Sequence, residues 1–243
     1  MAKVFRRIRQ KLLTENKFSK YLLYAIGEIA LVVIGIIIAL QINTWNNGKI
    51  ERQEEKKSYL NIKRQLIDDK NELIKVKGDN KNYAAIYEYG NKIIMAQDRT
   101  KTDSLTHVAI GLSQYSDFHS SGNIYETLVN SGELKLLKNS EITSAIQHLE
   151  KTYIFTNNLE NIHWELIINE LSPELKGVIN YATMKAVKPE KLYAVELQNI
   201  FIEIIGLCKY KDATYGQALG EIDTINKLID EELNSHEYEQ LSE

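Results

Sequence analysis

Catalysis or metal binding in this chain would have to be built from five histidines and one cysteine, and their spacing offers neither. His107, His119, His148, His163 and His236 are scattered without the i, i+4 pairing or the cysteine partners that zinc sites use. Cys208 has no second cysteine to pair with, and its apolar surroundings, Phe201, Ile204 and Ile205, suit a small buried hydrophobe better than a reactive thiol. No phosphate-cradling glycine loop, nucleophile elbow or carboxylate pair with a nearby histidine occurs at a familiar spacing. The neighbours Asp68 and Asp69 read as a solvated helix face rather than an acid/base dyad. These absences favour a chain that is not an enzyme and that needs no metal or cofactor.

One stretch, from Asp117 to Asn139, is rich enough in turns to shape a site. Ser120-Ser121-Gly122-Asn123 can break one helix and cap the next. Ser131-Gly132 can then end that helix, because glycine tolerates the left-handed turn. His119, Ser121, Tyr125 and Glu126 could line a ligand or partner pocket there. The same residues fit a plain helical corner whose small members are required by backbone geometry.

The other chemically unusual residue is Glu28, because it stands inside an apolar run from Tyr21 to Ile42. At about 1.5 Å per residue a helix of that length is roughly enough to cross a hydrocarbon core about 30 Å thick. Tyr21 and Tyr24 at one end and Trp45 at the other stand where aromatic belts form. A carboxylate at the bilayer centre costs roughly 2.5–3.5 kcal/mol on insertion scales, so Glu28 needs a partner, a proton or a route to the headgroups. Helical stepping places Glu28, Val32, Gly35, Ala39 and Ile42 on one face. The small pair Gly35 and Ala39 would let a second membrane helix approach closely, from another copy or a different membrane protein. The alternative is that Glu28 snorkels to water beside Lys20 or Tyr24.

The elements around these residues follow from charge and periodicity. Residues 1–20 carry Lys3, Arg6, Arg7, Arg9, Lys11, Lys17 and Lys20 against the single acid Glu15. Val4, Phe5, Ile8 and Leu12 share a helical face, so this tail can lie on an anionic leaflet or act only as a basic flank that sets topology. The basic bias predicts an N-terminus in the cytoplasm and a C-terminal bulk outside, periplasmic in a bacterium. Lys and Arg total 30 against 33 Asp and Glu, and because the positive excess lies in the tail, the remainder is net acidic and nucleic acid is not an expected partner.

Only two prolines and twelve glycines interrupt the chain, which predicts long helices. The anchor is expected over 21–45. After the punctuation Asn46-Asn47-Gly48, a membrane-proximal helix or stalk over 46–78 carries the stripe Tyr59, Ile62, Leu66, Leu73 and Val76. Further stripes run through Tyr83, Ile86, Tyr87, Gly90, Ile93 and Ile94, through Ile142, Ala145, Ile146, Leu149, Tyr153 and Ile154, and through Tyr215, Leu219, Ile222, Ile225 and Ile229. Ser172-Pro173-Glu174 and Lys188-Pro189-Glu190 read as helix starts. No alternation of period two stands out. The expected fold is all-α: one transmembrane helix, then a multi-helix bundle over 79–243 with a less regular middle from Asp98 to Asn139.

The anchor wording YLLYAIGEIALVVIGIIIALQINTWN, after the basic segments Phe5-Arg6-Arg7-Ile8-Arg9-Gln10 and Glu15-Asn16-Lys17-Phe18-Ser19-Lys20, resembles an uncharacterised family of single-pass membrane proteins common in Bacteroidota. Tyr125 leading into Ser131-Gly132-Glu133-Leu134 is similar to a later feature of that family. The resemblance implies an inner-membrane location, a lipid bilayer as partner, and no particular activity. Together these features suggest a non-enzymatic scaffold or partner-binding protein that self-associates or joins another membrane protein, with a sensory module signalling through a separate output protein as the second reading.

Overall fold

In the computed structural model, which describes residues 18–242, the chain is almost wholly helical. The basic tail over 1–17 and the side chains of Tyr21, Tyr24 and His236 lie outside the described residues. The first helix, α1 (Phe18–Met95), serves two units, one ending at Glu54 and the other beginning at Glu55. Asn46-Asn47-Gly48 lies inside it rather than ending it. Two Asn and one Gly cost only about 2 kcal/mol of helix propensity, and good helix formers flank them on both sides.

Up to Glu54 the apolar side chains have no protein around them. Leu22, Leu23, Ile26, Ile29, Leu31, Val32 and the isoleucines that follow stand about half exposed or more. Fully burying such a side chain is worth roughly 1.5–3 kcal/mol, so a run of them left this exposed favours an apolar medium. Among the described residues one helix is long and apolar enough to cross a membrane. Past its apolar stretch the ammonium of Lys49 lies 3.8 Å from the Trp45 ring centroid, a cation–π contact.

From Glu55 onward the chain folds on three long helices: the rest of α1, α4 (Ser140–Leu166) and α6 (Val195–Ser242). Between them come α2 (Thr102–Gly111), α3 (Ile124–Ser131), α5 (Ser172–Lys176) and a two-stranded antiparallel hairpin, β1 (Ile179–Asn180) with β2 (Lys185–Ala186). The stripe expected on the membrane-proximal helix is one wall of this bundle, for Tyr59, Ile62, Leu66, Leu73 and Val76 are all buried. It is part of a seven-residue repeat. Tyr59, Leu66, Leu73, Asn80, Tyr87 and Ile94 are buried at one position of α1, with Ile62, Asp69 and Val76 three residues after the first three. On α6 the same repeat buries Phe201, Cys208, Tyr215, Ile222 and Ile229, and with them Ile204, Lys211, Ala218 and Ile225. A repeat of seven on both helices keeps their seams facing each other.

The two helices run antiparallel, with Lys63 paired to Asp230, Lys70 to Asp223 and Lys77 to Asp212. Lys77 reaches a turn beyond the regular step because its counterpart there is Gly216, where a Cβ would stand 3.3 Å from the ammonium. α4 lies parallel to α1, since Lys138 and Tyr153 meet Glu55 and Asp69 in the same order, and antiparallel to α6, since Thr152 and Glu160 meet Glu221 and Tyr215 in reverse order.

Of the two expected helix starts, the first needs revision. Ser172 has helical backbone angles and does not cap, because α4 passes into α5 through a widened turn at Ile167–Leu171. Such a turn accommodates the missing N–H and the ring of Pro173 without breaking the helix. Pro189 opens a short 3₁₀ turn, Pro189–Tyr193, ahead of α6.

Candidate functional site

The buried side chains form two apolar clusters. One is built around Ile94, Leu105, Ile167, Leu171, Phe201 and Ile204, the other around Leu66, Leu73, Ile146, Leu149, Ile222 and Ile225. Along each long helix a polar group falls between them: Asn80 on α1, Thr156, Glu160 and His163 on α4, and Lys211 on α6. Their repeat positions would ordinarily hold apolar residues, and Lys211 and His163 are 0% exposed, Glu160 3%. The segment 112–123 closes over them and contributes buried Ser116 and Phe118.

The contacts are specific. Lys211 Nζ donates to the Ser116 carbonyl at 2.9 Å, and Ser116 Oγ donates to Asn80 Oδ1 at 3.0 Å. Asn80 Nδ2 donates to the Cys208 carbonyl at 2.7 Å. Glu160 Oε1 accepts the Phe118 backbone N–H at 2.9 Å and the Tyr215 hydroxyl, which also lies 3.2 Å from Ser116 Oγ. The Tyr115 ring packs against His163, centroids 5.3 Å apart, and faces the Lys211 ammonium at 5.3 Å. Glu160 Oε2 and both ring nitrogens of His163 have no hydrogen-bond partner.

Burial dominates the electrostatics. It pushes the Glu160 carboxyl up to about 7, although the hydrogen bonds from Tyr215 and Phe118 pull the other way. It pushes the Lys211 ammonium down to about 8, against the nearby Cys208 and Glu160, and the His163 imidazole down to about 3, with the Lys211 charge adding to the effect. Burial therefore favours a neutral imidazole in a layer where it also raises the acid and lowers the amine.

Glu160 is one of three buried carboxylates that act alike. Each accepts one backbone N–H from the connecting segments and one tyrosine hydroxyl. Asp69 takes the Ser121 N–H at 2.6 Å and the Tyr153 hydroxyl at 3.0 Å, and Glu55 takes the Lys138 N–H at 2.9 Å and the Tyr59 hydroxyl at 3.3 Å. These bonds pin the irregular middle of the chain onto the bundle. The tyrosines respond in kind: burial first, then the neighbouring carboxylate, raises the hydroxyls of Tyr59, Tyr153 and Tyr215 well above their ordinary range.

The four residues weighed as a pocket are arranged as a corner. His119 is exposed, 3.4 Å from the Asp117 carboxylate, while Ser121 is held by Asp69 and by a 3.4 Å bond to the Gln65 carbonyl. Tyr125 packs on the second apolar cluster, and the Glu126 N–H is capped by Asn123 Oδ1 at 2.7 Å. Gly132 takes the expected left-handed conformation, φ 76°. On the anchor, Val32 and Ile42 are exposed, nothing stands within 4 Å of a Cβ at Gly35, and Glu28 is partly covered.

Glu160 and His163 have the inward i, i+3 spacing that metal-binding helical bundles use, yet among the described residues no group of three or more His, Cys, Asp or Glu is placed to hold a metal ion. A surface groove of about 400 Å³ opens between α1 and α6 beside Asn80, Ala84, Cys208, Lys209 and Asp212. It lies where the lysine repeat 63, 70, 77 gives way to the small Ala84.

The model of the family of unknown function DUF6090 matches residues 28–209, most of the chain, and the chain belongs to that family. The match takes in Glu28, Asn80, Ser116, Glu160 and His163 and ends just before Lys211. No curated protein and no solved structure matches the chain.

Proposed function

We propose that this member of the family is a non-enzymatic protein held in the bacterial inner membrane by α1, with its N-terminus cytoplasmic and its bundle periplasmic, and that the bundle binds a protein partner. The supporting observation is an apolar row left over after the core is complete. Ile154, Phe155 and Ile162 share one side of α4 and are 60%, 52% and 41% exposed, with Ile168 next along. Large apolar side chains grouped on one face mark interaction surfaces more often than isolated ones do. The face Glu28, Val32, Gly35, Ala39 and Ile42 suits association in the bilayer, with a second copy or with another membrane protein.

The test is purification in mild detergent with mass spectrometry of what stays bound, comparing wild type with Phe155→Ser/Ile162→Ser. A partner lost from the double variant and retained by Glu28→Ala supports the reading; a partner retained equally by all three overturns the assignment to α4. Reporter fusions at each end test orientation, and a cytoplasmic signal from the C-terminal fusion overturns it. A sensory role is the second reading, favoured by one observation: the bundle buries an acid and an amine, Glu160 and Lys211, at its centre.

A further inference from the structure

The chain over 113–121 is held on the bundle by a cation and an anion acting on adjacent stretches of backbone. Lys211 takes the carbonyl of Ser116 and Glu160 takes the N–H of Phe118. Asn80, through Ser116 Oγ, Tyr87, through the Gln114 carbonyl, and Asp69, through the Ser121 N–H, add to the attachment. Lys211 and Glu160 are both removed from water, and no ion pair joins them among the contacts of the described residues. Each bears most of its desolvation cost without direct contact with the opposite charge, and Glu160 Oε2 and both nitrogens of His163 are left without partners beside them.

We propose that the segment 113–121 is a latch governed by the charges on Glu160 and Lys211: it opens most readily when both are ionised and closes more firmly when either becomes neutral. The groups facing the pair are Asp117 and Tyr115 from the segment, His163 on α4, and Cys208 and Tyr215 on α6. α1 contributes uncharged Asn80 and Tyr87, which lies near Cys208 and stacks on Tyr83, while the charge of Lys77 is engaged by Asp212. Opening returns Glu160 and Lys211 to water, where carboxyl and amine regain their ordinary affinities for protons. Closure is therefore favoured by protonating the acid or deprotonating the amine. Opening also uncovers Phe118, a fully buried member of the second apolar cluster. This latch stands independently of the partner-binding reading.

The test is pulsed amide exchange with mass spectrometry on the full chain in detergent micelles, corrected for intrinsic exchange, from pH 7 to 9.5. Protection over 117–121 is expected to rise roughly tenfold or more between pH 7.5 and 9.5 as Lys211 gives up its proton. The rise should vanish in Lys211→Met. It should persist in Glu160→Gln, whose protection at pH 7 should exceed that of wild type. A pH-independent wild type, a rise that survives in Lys211→Met, or an equal rise over 222–229 overturns the latch. If Lys211→Met does not fold, Glu160→Gln decides alone: protection at pH 7 equal to or below wild type overturns it.

Discussion

Replacing Tyr153 by phenylalanine removes one hydroxyl from the three-part arrangement of carboxylate, tyrosine and loop N–H. The ring keeps its packing on Phe118, 5.0 Å away at 58°, so no cavity opens. What changes is Asp69: its Oδ2 loses the 3.0 Å hydroxyl contact, while Oδ1 keeps the Ser121 N–H. Asp69 is 1% exposed, so water cannot readily replace the lost donor. A hydrogen bond to a buried charged group is worth about 1.5–3 kcal/mol, and an acceptor left unpaired costs its desolvation in full, so Tyr153→Phe should destabilise the bundle by about 2 kcal/mol. For a unit of this size that corresponds to a fall in Tm of about 4–8 °C. Urea unfolding of the full chain in mild detergent, followed by Trp164 fluorescence, measures the effect. Asp69→Ala alone and with Tyr153→Phe completes a double-mutant cycle, in which the pair should be coupled by about 1–2 kcal/mol. A loss below about 0.5 kcal/mol for Tyr153→Phe, or additivity across the cycle, refutes the view that these carboxylates hold the middle of the chain through paired donors.

The pH dependence of stability has a determined sign. Glu160, raised to about 7, contributes stability that is complete below its unfolded value and lost as pH rises through 7; His163, depressed to about 3, contributes above its unfolded value and loses it as pH falls through 3. The two oppose each other between about pH 4.5 and 6.5. In Glu160→Gln only the His163 slope remains, and the variant should gain about 2 kcal/mol on wild type between pH 4.5 and 6.5; an unchanged difference in urea midpoints rejects the assignment. Gly90→Ala would put a Cβ 2.6 Å from the Phe201 ring and 2.7 Å from Val108, both buried, so thermal unfolding should show a loss of about 1–3 kcal/mol. Gly132→Ala forces a side chain into a left-handed backbone at an open corner and should cost about 1 kcal/mol with no change in the core.

The long apolar helix, the helical class and the corner at Asn123 and Gly132 were legible because each rests on local chemistry: a long apolar run, a 3.6-residue period, a cap and a glycine. The polar layer was not legible. Lys211 stands among Lys209, Tyr210 and Asp212 and looks like part of a solvated turn. Only the repeat Ile204, Lys211, Ala218, Ile225 would have placed it inward. Glu160 and His163 were hidden for the same reason, as polar residues on a helix that alternates faces. Ile86 and Ile154 illustrate the converse: both sit beside buried tyrosines in the expected stripes, yet both are exposed, since at these points only the tyrosine of each adjacent pair faces a neighbouring helix. The hairpin at 179–186 is too short for a period of two to show.

A period of seven on both α1 and α6 also creates an ambiguity that the ion pairs do not remove. Sliding one helix past the other by a heptad would still set Lys63 against Asp223 and keep leucines and isoleucines facing isoleucines, at the cost of one exposed pair worth less than about 1 kcal/mol. The groups that break the repeat remove the ambiguity. Asn80 finds the Cys208 carbonyl only in the observed register, and the Phe201 ring fits because it lies over Gly90 rather than over Tyr83, one heptad away. A buried polar residue that specifies register at a cost in stability is familiar from coiled coils. On this view the charged centre of the bundle destabilises the domain locally while excluding its slipped alternatives. Replacing Asn80 and Lys211 together by leucine and methionine should then raise the unfolding midpoint, because two desolvated polar groups are removed. It should also broaden the amide spectrum of the bundle as more than one register becomes populated. A double variant that is both more stable and as uniform as wild type would show that packing alone, chiefly Phe201 on Gly90, sets the register.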